Sequence, residues 1–382
     1  MQENLKRGLA TVGRAVAGKS PLPVLANILL AADNGRLKLA ATDLEIGITC
    51  WIDAQVEEEG AITLPARLFG DIVGNLPNDH VRLTLDARTQ TMTLECGRFT
   101  NNIKGIEADD FPPIPTVADQ ETMMRIPAPA LRQCIEQVAF AASSDESRPS
   151  LTGVLVRTHP DNQTGGTTTT FAAADGYRLA TRAIALPEGA LAGGEDVSEF
   201  IVPARALTEL ARVVGDTEED VHVTVTPGGT QVLFHTESAD LVSRLIDGKF
   251  PDFERIIPSE YTTRSLIDTQ ELLKAVKLAS FFATNNQNFV KLSVEPGDED
   301  MPGKVTVSAN AAEIGDNKGE LDATIEGEGG QLAMNVKFLN EALAVMGTSQ
   351  IALEMQTAQN PGVLKPVGQT DYVHIIMPMT LR

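Results

Sequence analysis

VPARALTELARVVG at 202–215 repeats the wording of LPARLFGDIVGNLP at 64–77, and the two prolines stand 138 residues apart. Each copy opens with an apolar residue and Pro-Ala-Arg, then spaces its apolar residues three or four apart, as a helix with one buried stripe does. In the second copy that stripe is Leu207, Leu210, Ala211 and Val214. A third, more worn copy reads AMNVKFLNEALAVMG at 333–347, with Asn335-Val336-Lys337 where Pro-Ala-Arg stood. Each follows a short β-type run (AITLP, FIVP, LAMNV) and closes on Gly or Pro. Proline suits the first helical position, where its missing N–H would find no partner anyway. Internal repetition constrains the fold strongly, because one structural plan must serve three times.

Other elements recur with the same step. Helical spacing at 4–16, 130–142 and 270–283 is followed each time by a β-rich stretch: LKLAATDLEIGI, TFAAADGYRLATRAI and KVTVSANAAEIGD. Within these, Asp43, Asp175 and Asn310 align at steps of 132 and 135 residues, as copied turn residues would. FPPIP at 111–115 and FPDFERIIP at 250–258 close the first two repeats. Three repeats of about 127 residues fill the 382-residue chain, a length that suits two or three domains. Pro, Ser and Thr cluster near 117–125 and 259–265, which sets domains over 1–120, 121–260 and 261–382. Stretches such as VRLTLDARTQTMTLEC and VHVTVTPGGTQVLFHT alternate around hairpin turns. The expected class is α+β: three tandem similar domains, each with two helices and antiparallel sheets. A solenoid is excluded, since its repeats run roughly 20–50 residues.

The net charge of −21 speaks against a nucleic-acid partner only if it is evenly spread. It is not. The six helical segments, taken as 5–16, 66–75, 128–142, 204–214, 270–283 and 335–346, carry formal charges of +3, 0, 0, +1, +1 and 0, which leaves −26 for the rest. Lys6, Arg7, Arg14, Arg132, Arg205, Arg212, Lys274, Lys277 and Lys337 are the cations responsible. Two readings fit. Lys and Arg are good helix formers and populate exposed helix faces for that reason alone. Alternatively, all six helices face one shared surface that holds a polyanion by its phosphates without reading bases.

GRAVAGKS at 13–20 satisfies the phosphate-loop pattern through Gly13, Gly18, Lys19 and Ser20. A working loop follows a strand and starts a helix at its lysine. Here a helical segment precedes it, and Pro21-Leu22-Pro23 follows where a helix would need its N–H groups. A nucleotide hydrolase using Lys19 is therefore the disfavoured rival. Asp43 and Glu45 in TDLEIG fall on one face of a strand, as carboxylates paired for acid–base work would. No His or third acid lies near them in sequence, and the repeat marks Asp43 as a turn residue. His80, His159, His222, His235 and His374 lack metal-ligand spacing, and no GxSxG occurs, so no metal, cofactor or catalytic residue is expected. A blander rival is a repeat scaffold that binds proteins and no DNA.

Cys50, Cys96 and Cys134 lie far apart in apolar or strand-like surroundings. No apolar run reaches the roughly 18 residues of a membrane helix, and MQENLKRGLATVGRAV lacks a signal peptide's apolar region. Buried thiols in a reducing cytoplasm are the expectation. The stretch YVHIIMPMTL at 372–381 is apolar and Met-rich. It reads as a buried last strand or, since Met377-Pro378-Met379 cannot pair regularly across proline, as a pocket wall of adaptable thioethers.

Taken together, the tandem repeats with SPLPVLANILL, TDLEIG, ADGYRLA, GKFPDFERIIP and MPMTL resemble the bacterial DNA polymerase III β subunit family, the sliding clamps, from about residue 4 to the end. The resemblance implies three similar domains per chain and two chains joined head to tail as a closed ring. Helices would line its bore, with sheets outside and no catalytic activity of its own. A ring holds duplex DNA topologically, so weak phosphate attraction that permits sliding suffices inside, while an acidic exterior repels duplex elsewhere. The implied role is processivity of the replicative polymerase.

The family also carries a hydrophobic cleft in its third domain and the border with the second. It receives short linear motifs from the polymerase α subunit, the clamp loader, other polymerases and repair proteins. By match, ADGYRL supplies Ala174, Gly176, Tyr177, Arg178 and Leu179, and FPDFERII supplies Pro251, Arg255 and Ile256. The chain end supplies Ile375, Ile376, Met377, Pro378 and Met379, and Leu151, Phe289, Asn335, Phe338 and Pro361 align with further cleft positions. Apolar walls with a few polar handles suit peptide anchors. Toward DNA, Lys19 and Arg148 align with basic loop positions and Arg205 within a helix. The chain departs from the family pattern with Tyr177 for a common His, Thr380 for a basic residue and Arg382 past the usual terminal Leu. Only Met1 and Gln2 precede Glu3, where a short strand is usual.

Overall fold

The computed structural model describes residues 1–18, 20–116, 124–160, 166–191, 198–283, 287–298 and 301–380. Among them, six α-helices form where the apolar spacing places them: α1 (Gln2–Val12), α2 (Ala66–Asn75), α3 (Ala128–Val138), α4 (Ala204–Val214), α5 (Thr269–Ala283) and α6 (Val336–Ala344). α1 and α3 tighten into 3-10 turns at Gly13–Ala15 and Ala139–Ala141, which accounts for most of the remaining expected helical length. α4 buries Ala206, Leu207, Leu210 and Val214, leaving Ala211 half-buried on the flank of the stripe.

Pro65 and Pro203 do not take the first helical position. Each is the last residue of a strand, Ala61–Pro65 and Ser198–Pro203, and the helix starts at the next alanine. Proline's fixed φ ends the strand there without removing a helical N–H. Asn335 takes this place before α6, its side chain accepting the Lys337 N–H at 2.9 Å as an N-cap.

Contacts divide the chain into two compact units, Met1–Leu131 with Pro187–Gly194 and Ala206–Leu245, and Arg132–Leu186 with Glu195–Arg205 and Ile246–Arg382. The second sequence repeat contributes to both, because sheets continue from one repeat into the next. In the first unit Ile46–Asp53 pairs with Ala239–Arg244, and in the second Arg178–Leu186 pairs with Tyr372–Ile376.

The first unit holds a nine-stranded antiparallel sheet in the order Ile106–Glu107, Ala61–Pro65, Asn27–Asp33, Arg36–Thr42, Ile46–Asp53, Ala239–Arg244, Gln231–His235, Asp220–Val225, Met124–Pro127. A separate sheet joins Val81–Asp86, Thr91–Cys96 and Phe99–Lys104. α1 packs on the strands Arg36–Thr42 and Ile46–Asp53 and buries Leu5, Leu9 and Val12. Gly8 permits that approach, since a Cβ there would stand 2.6 Å from Ile52 Cδ1 and 2.9 Å from Leu39 Cδ1.

The second unit holds a twelve-stranded antiparallel sheet: Ser198–Pro203, Gly153–Pro160, Thr167–Ala174, Arg178–Leu186, Tyr372–Ile376, Gly362–Pro366, Gln350–Met355, Thr263–Asp268, Gly315–Gly327, Gly303–Ala311, Phe289–Glu295, Gly330–Asn335. α5 and α6 pack on each other, and α5 lies on the strands from Phe289 to Gly327. Successive residues of each strand face opposite sides of the sheet. That alternation decides what each side can bind.

Candidate functional site

The turn between Thr167–Ala174 and Arg178–Leu186 is held by Asp175, whose Oδ1 accepts the N–H groups of Tyr177 and Arg178 at 2.8 and 3.0 Å. Gly176 adopts φ +92, a left-handed conformation that costs glycine little, and Tyr177 is left 65% exposed. The first repeat builds the same turn, with Asp43 Oδ1 accepting from Glu45 and Ile46 at 3.0 and 2.8 Å. Asp43 is thus a turn residue, and Glu45 pairs instead with Arg244 at 3.3 Å. The third copy is displaced: Asn310 lies in a strand opposite Asp316, and the turn falls at Ala311–Gly315. The worn repeat shifted the turn by one residue, which the alignment at Asn310 could not register.

Beyond this turn, one face of the second unit's sheet is apolar across several strands. Leu151, Leu155, Ala172, Ala174, Leu179, Ile201, Phe250, Phe253, Val363 and Ile375 form one buried cluster. Ile246, Ile257 and Val373 flank it. Four sequence-derived cleft residues, Leu151, Ala174, Leu179 and Ile375, are therefore brought together. In the segment that carries Phe250 and Phe253, Pro251, Arg255 and Ile256 are exposed on the surface. Met377 leaves the last strand with its N–H on Tyr177 O at 2.8 Å and its side chain exposed. Pro378 and Met379 are half-buried, and Met379 N–H donates to Ala333 O at 2.8 Å. The result is a buried apolar floor bordered by exposed Tyr177, Ile256 and Met377.

Arg178 and Ile376 are partners in the ladder and project to the opposite side of the sheet from Leu179 and Ile375. The Arg178 guanidinium lies 4.4 Å from the centre of the Phe338 ring and 5.3 Å from that of Phe140. It bonds to Asp175 Oδ2 at 3.0 Å, to Phe140 O at 2.7 Å and to Glu341. His374 stacks on Phe140 at 5.5 Å, is fully buried, and has no partner at either ring nitrogen among the described residues. Burial, reinforced by the nearby Arg178 charge, lowers its pKa to about 3. Phe338 and Arg178 thus brace the turn. Phe140, His374 and Glu341 were absent from the sequence-derived set because they join it only in the fold, Phe140 reaching Arg178 across 38 residues and Glu341 across 163.

The other cleft candidates are more dispersed. Phe289 pairs with Asn335, which is occupied as the α6 cap, and Pro361 lines a shallow depression with Pro258, Tyr261 and Val363.

Of the candidate DNA contacts, Lys6, Arg7, Arg14, Arg148, Arg205, Arg212, Lys274, Lys277 and Lys337 are exposed, and Arg132 is half-buried. Lys19 lies outside the described residues. Arg14 and Arg212 share Glu209 at 3.2 and 2.7 Å, and Arg148 pairs with Asp145 at 3.5 Å. Lys6, Lys274, Lys277 and Lys337 form no ion pair among the described residues. In GRAVAGKS, Gly13–Ala15 continues α1 as a 3-10 turn and Pro23–Ala26 is another, so the strand-then-helix setting of a phosphate loop is missing. No three His, Cys, Asp or Glu residues cluster for a metal among the described residues, and no helix there is long and apolar enough to cross a membrane. Cys50, Cys96 and Cys134 are buried free thiols, Cys50 pushed up to about 12 by burial.

Family models described as the DNA polymerase III beta subunit N-terminal, central and C-terminal domains match residues 1–115, 125–252 and 254–380. A beta sliding clamp from Synechococcus elongatus is 36% identical over 383 residues, covering 100% of this chain and 98% of the relative. Among solved structures, the DNA polymerase sliding clamp of Bacillus subtilis matches with a TM-score of 0.89 at 28% identity, over 100% of this chain and 98% of that one. The C. crescentus beta sliding clamp, solved with polyethylene glycol at a region described as tethering the beta-motif, matches with a TM-score of 0.89 at 28% identity, over 100% and 97%.

Proposed function

The chain belongs to the DNA polymerase III β-subunit family, the β sliding clamps, and from that premise we propose how its residues do the family's work. It is a non-catalytic processivity factor with a three-domain α+β fold of antiparallel sheets. In our reading the domains run 1–120, 121–260 and 261–382, and two chains close head to tail around duplex DNA in the cytoplasm. The single observation that carries this is the series of three domain models in order over 1–115, 125–252 and 254–380.

A ring closed by one repeated contact requires two unlike patches on each chain. The first unit offers the outer edge of its three-stranded sheet, where 98–104 carries a formal +2 and Phe99 is 57% exposed. In the second unit, Gly315–Gly327 pairs with Thr263–Asp268 only from Ala323 onward, so 315–322, with a formal −2, keeps one edge unpaired among the described residues. Exposed Leu278 and Phe281 of α5 belong to the same unit. Open strand edges of opposite charge beside apolar residues favour mutual pairing over exposure.

The exposed helix cations would give duplex DNA weak, sequence-independent attraction, with topology supplying retention. The apolar floor under Tyr177, Ile256 and Met377 would receive short linear motifs from the polymerase α subunit, the clamp loader, other polymerases and repair proteins. Loading onto nicked circular DNA tests the ring: the protein should stay bound until the circle is linearised, and equal retention on both forms would falsify encirclement. Met377→Ala with Met379→Ala should abolish binding of a polymerase-derived peptide while the dimer persists; unchanged affinity counts against the cleft.

A further inference from the structure

We propose that Gln137, near the end of α3, is a positioning residue for the cleft, setting the last strand from the opposite side of the sheet. The inference rests on the peptide-cleft reading above. Gln137 is buried, and three elements converge on it. Its Nε2 donates to Val345 O just past α6 at 2.9 Å, its Oε1 accepts from Arg182 Nη1, and its backbone carbonyl accepts from the Tyr372 hydroxyl at 3.1 Å. Arg182 extends the linkage, pairing with Asp371 Oδ2 at 3.0 Å, while Ala183 N–H donates to Asp371 O at 2.8 Å.

Asp371 and Tyr372 begin the segment that continues into the cleft. Along Tyr372–Ile376, Tyr372 and His374 face the helix side, where they meet Gln137 and Phe140. Val373 and Ile375 face the other way and join the apolar cluster with Leu179 and Val363. An anchor at Tyr372 therefore fixes which residues of the last strand reach the cleft, and a slip of one residue would exchange the two faces. The anchor is made of buried polar groups, where a partial loss of bonding is felt by every member. Gln137, Arg182 and Tyr372 have no place in the apolar cluster itself, so their effect on a peptide must pass through the strand.

The test uses the full-length protein and a fluorescein-labelled peptide from the clamp-binding segment of the replicative polymerase α subunit, read by anisotropy. Tyr372→Phe keeps the ring and removes the hydroxyl, and Gln137→Met keeps the length and removes both side-chain bonds. Kd should rise about fivefold in the first, as one lost hydrogen bond implies, and about tenfold or more in the second. Amide exchange at 375–377 and 379 should quicken in both under conditions where the dimer is intact. A purely structural role would lower the unfolding midpoint but leave Kd and that exchange at wild-type values, and this result overturns the inference. Should Gln137→Met fail to fold, Tyr372→Phe alone decides. If the wild-type protein does not bind the peptide, the cleft reading fails instead.

Discussion

His374 should make this protein acid-labile in a way that one substitution can isolate. The ring is fully buried against Phe140, neither nitrogen has a partner among the described residues, and the Arg178 guanidinium stands near. Burial first, and Arg178 second, lower its pKa from 6.5 to about 3. The folded state thus holds the ring neutral while the unfolded chain takes up a proton below pH 6.5. Stability is therefore lost as pH falls through the unfolded value, and the loss levels off only below the folded value. At pH 5 the penalty works out at about 2 kcal/mol, and it saturates near 5 kcal/mol. His374→Leu has similar volume and cannot titrate. At pH 7 it removes two unpartnered nitrogens at the expense of a ring stack, so its stability should equal or slightly exceed the wild type. Guanidinium unfolding of both proteins from pH 7 to pH 5 supplies the test. Other titrating groups cancel in the difference between the two, which should widen by about 2 kcal/mol in favour of the variant. Parallel curves, or an imidazole resonance assigned to His374 that titrates near its ordinary value, would refute the reasoning.

Further expectations follow from the same geometry. Leu278→Asp with Phe281→Asp should convert the dimer to a monomer by sedimentation, because charges would then occupy the apolar part of the proposed contact. Gly176→Ala should cost about 1 kcal/mol in a urea titration, since φ +92 strains any side chain, while the new Cβ at 3.2 Å displaces only the flexible end of Arg148. Asp175→Ala should lower the melting temperature more than Asp175→Asn, which keeps an acceptor for the Tyr177 and Arg178 N–H groups and loses only the ion pair. Lys274→Ala with Lys277→Ala should flatten the salt dependence of duplex affinity by about two units of log–log slope if both lysines meet phosphates.

Much of the fold was legible because its signals are local. The stripe of α4 and the Asp43 and Asp175 turns each depend on residues within a few positions of one another. The worn third copy misled at Asn310, where similar wording concealed a turn displaced by one residue. Proline's place was also misjudged, because a strand runs directly into each helix and proline serves the strand's end. The bracing of Arg178 by Phe140, Phe338 and Glu341 was out of reach. Its Phe338 and Glu341 part exists only because Tyr372–Ile376 adds to a sheet begun in the preceding repeat, bringing together residues 163 apart in sequence, while Phe140 meets Arg178 across 38. Gln137 lies within the helical segment 130–142, and nothing in its neighbourhood announces three buried bonds.

The repeat also bears on why the proposed peptide site would lie at one seam and not at its counterpart. In the first unit, where Ile46–Asp53 meets Ala239–Arg244, Arg244 N–H donates to Glu45 O at 3.0 Å. In the second, where Arg178–Leu186 meets Tyr372–Ile376, Met377 N–H donates to Tyr177 O at 2.8 Å. The backbone is the same, and the side chains decide the rest. Glu45 and Arg244 form a solvated ion pair over the first seam, whereas Tyr177 and Met377 leave apolar surface over the second. Beneath them, Ile114 stands 3.0 Å from where a Cβ on Gly47 would lie, while the matching Leu179 lies in one cluster with Phe250 and Phe253. The first seam's charged groups would lose hydration on meeting an apolar ligand. At the second, exposed Tyr177 and Met377 gain by burial. Equivalent geometry with different side chains therefore favours a single peptide site per chain, at the seam where the chain ends.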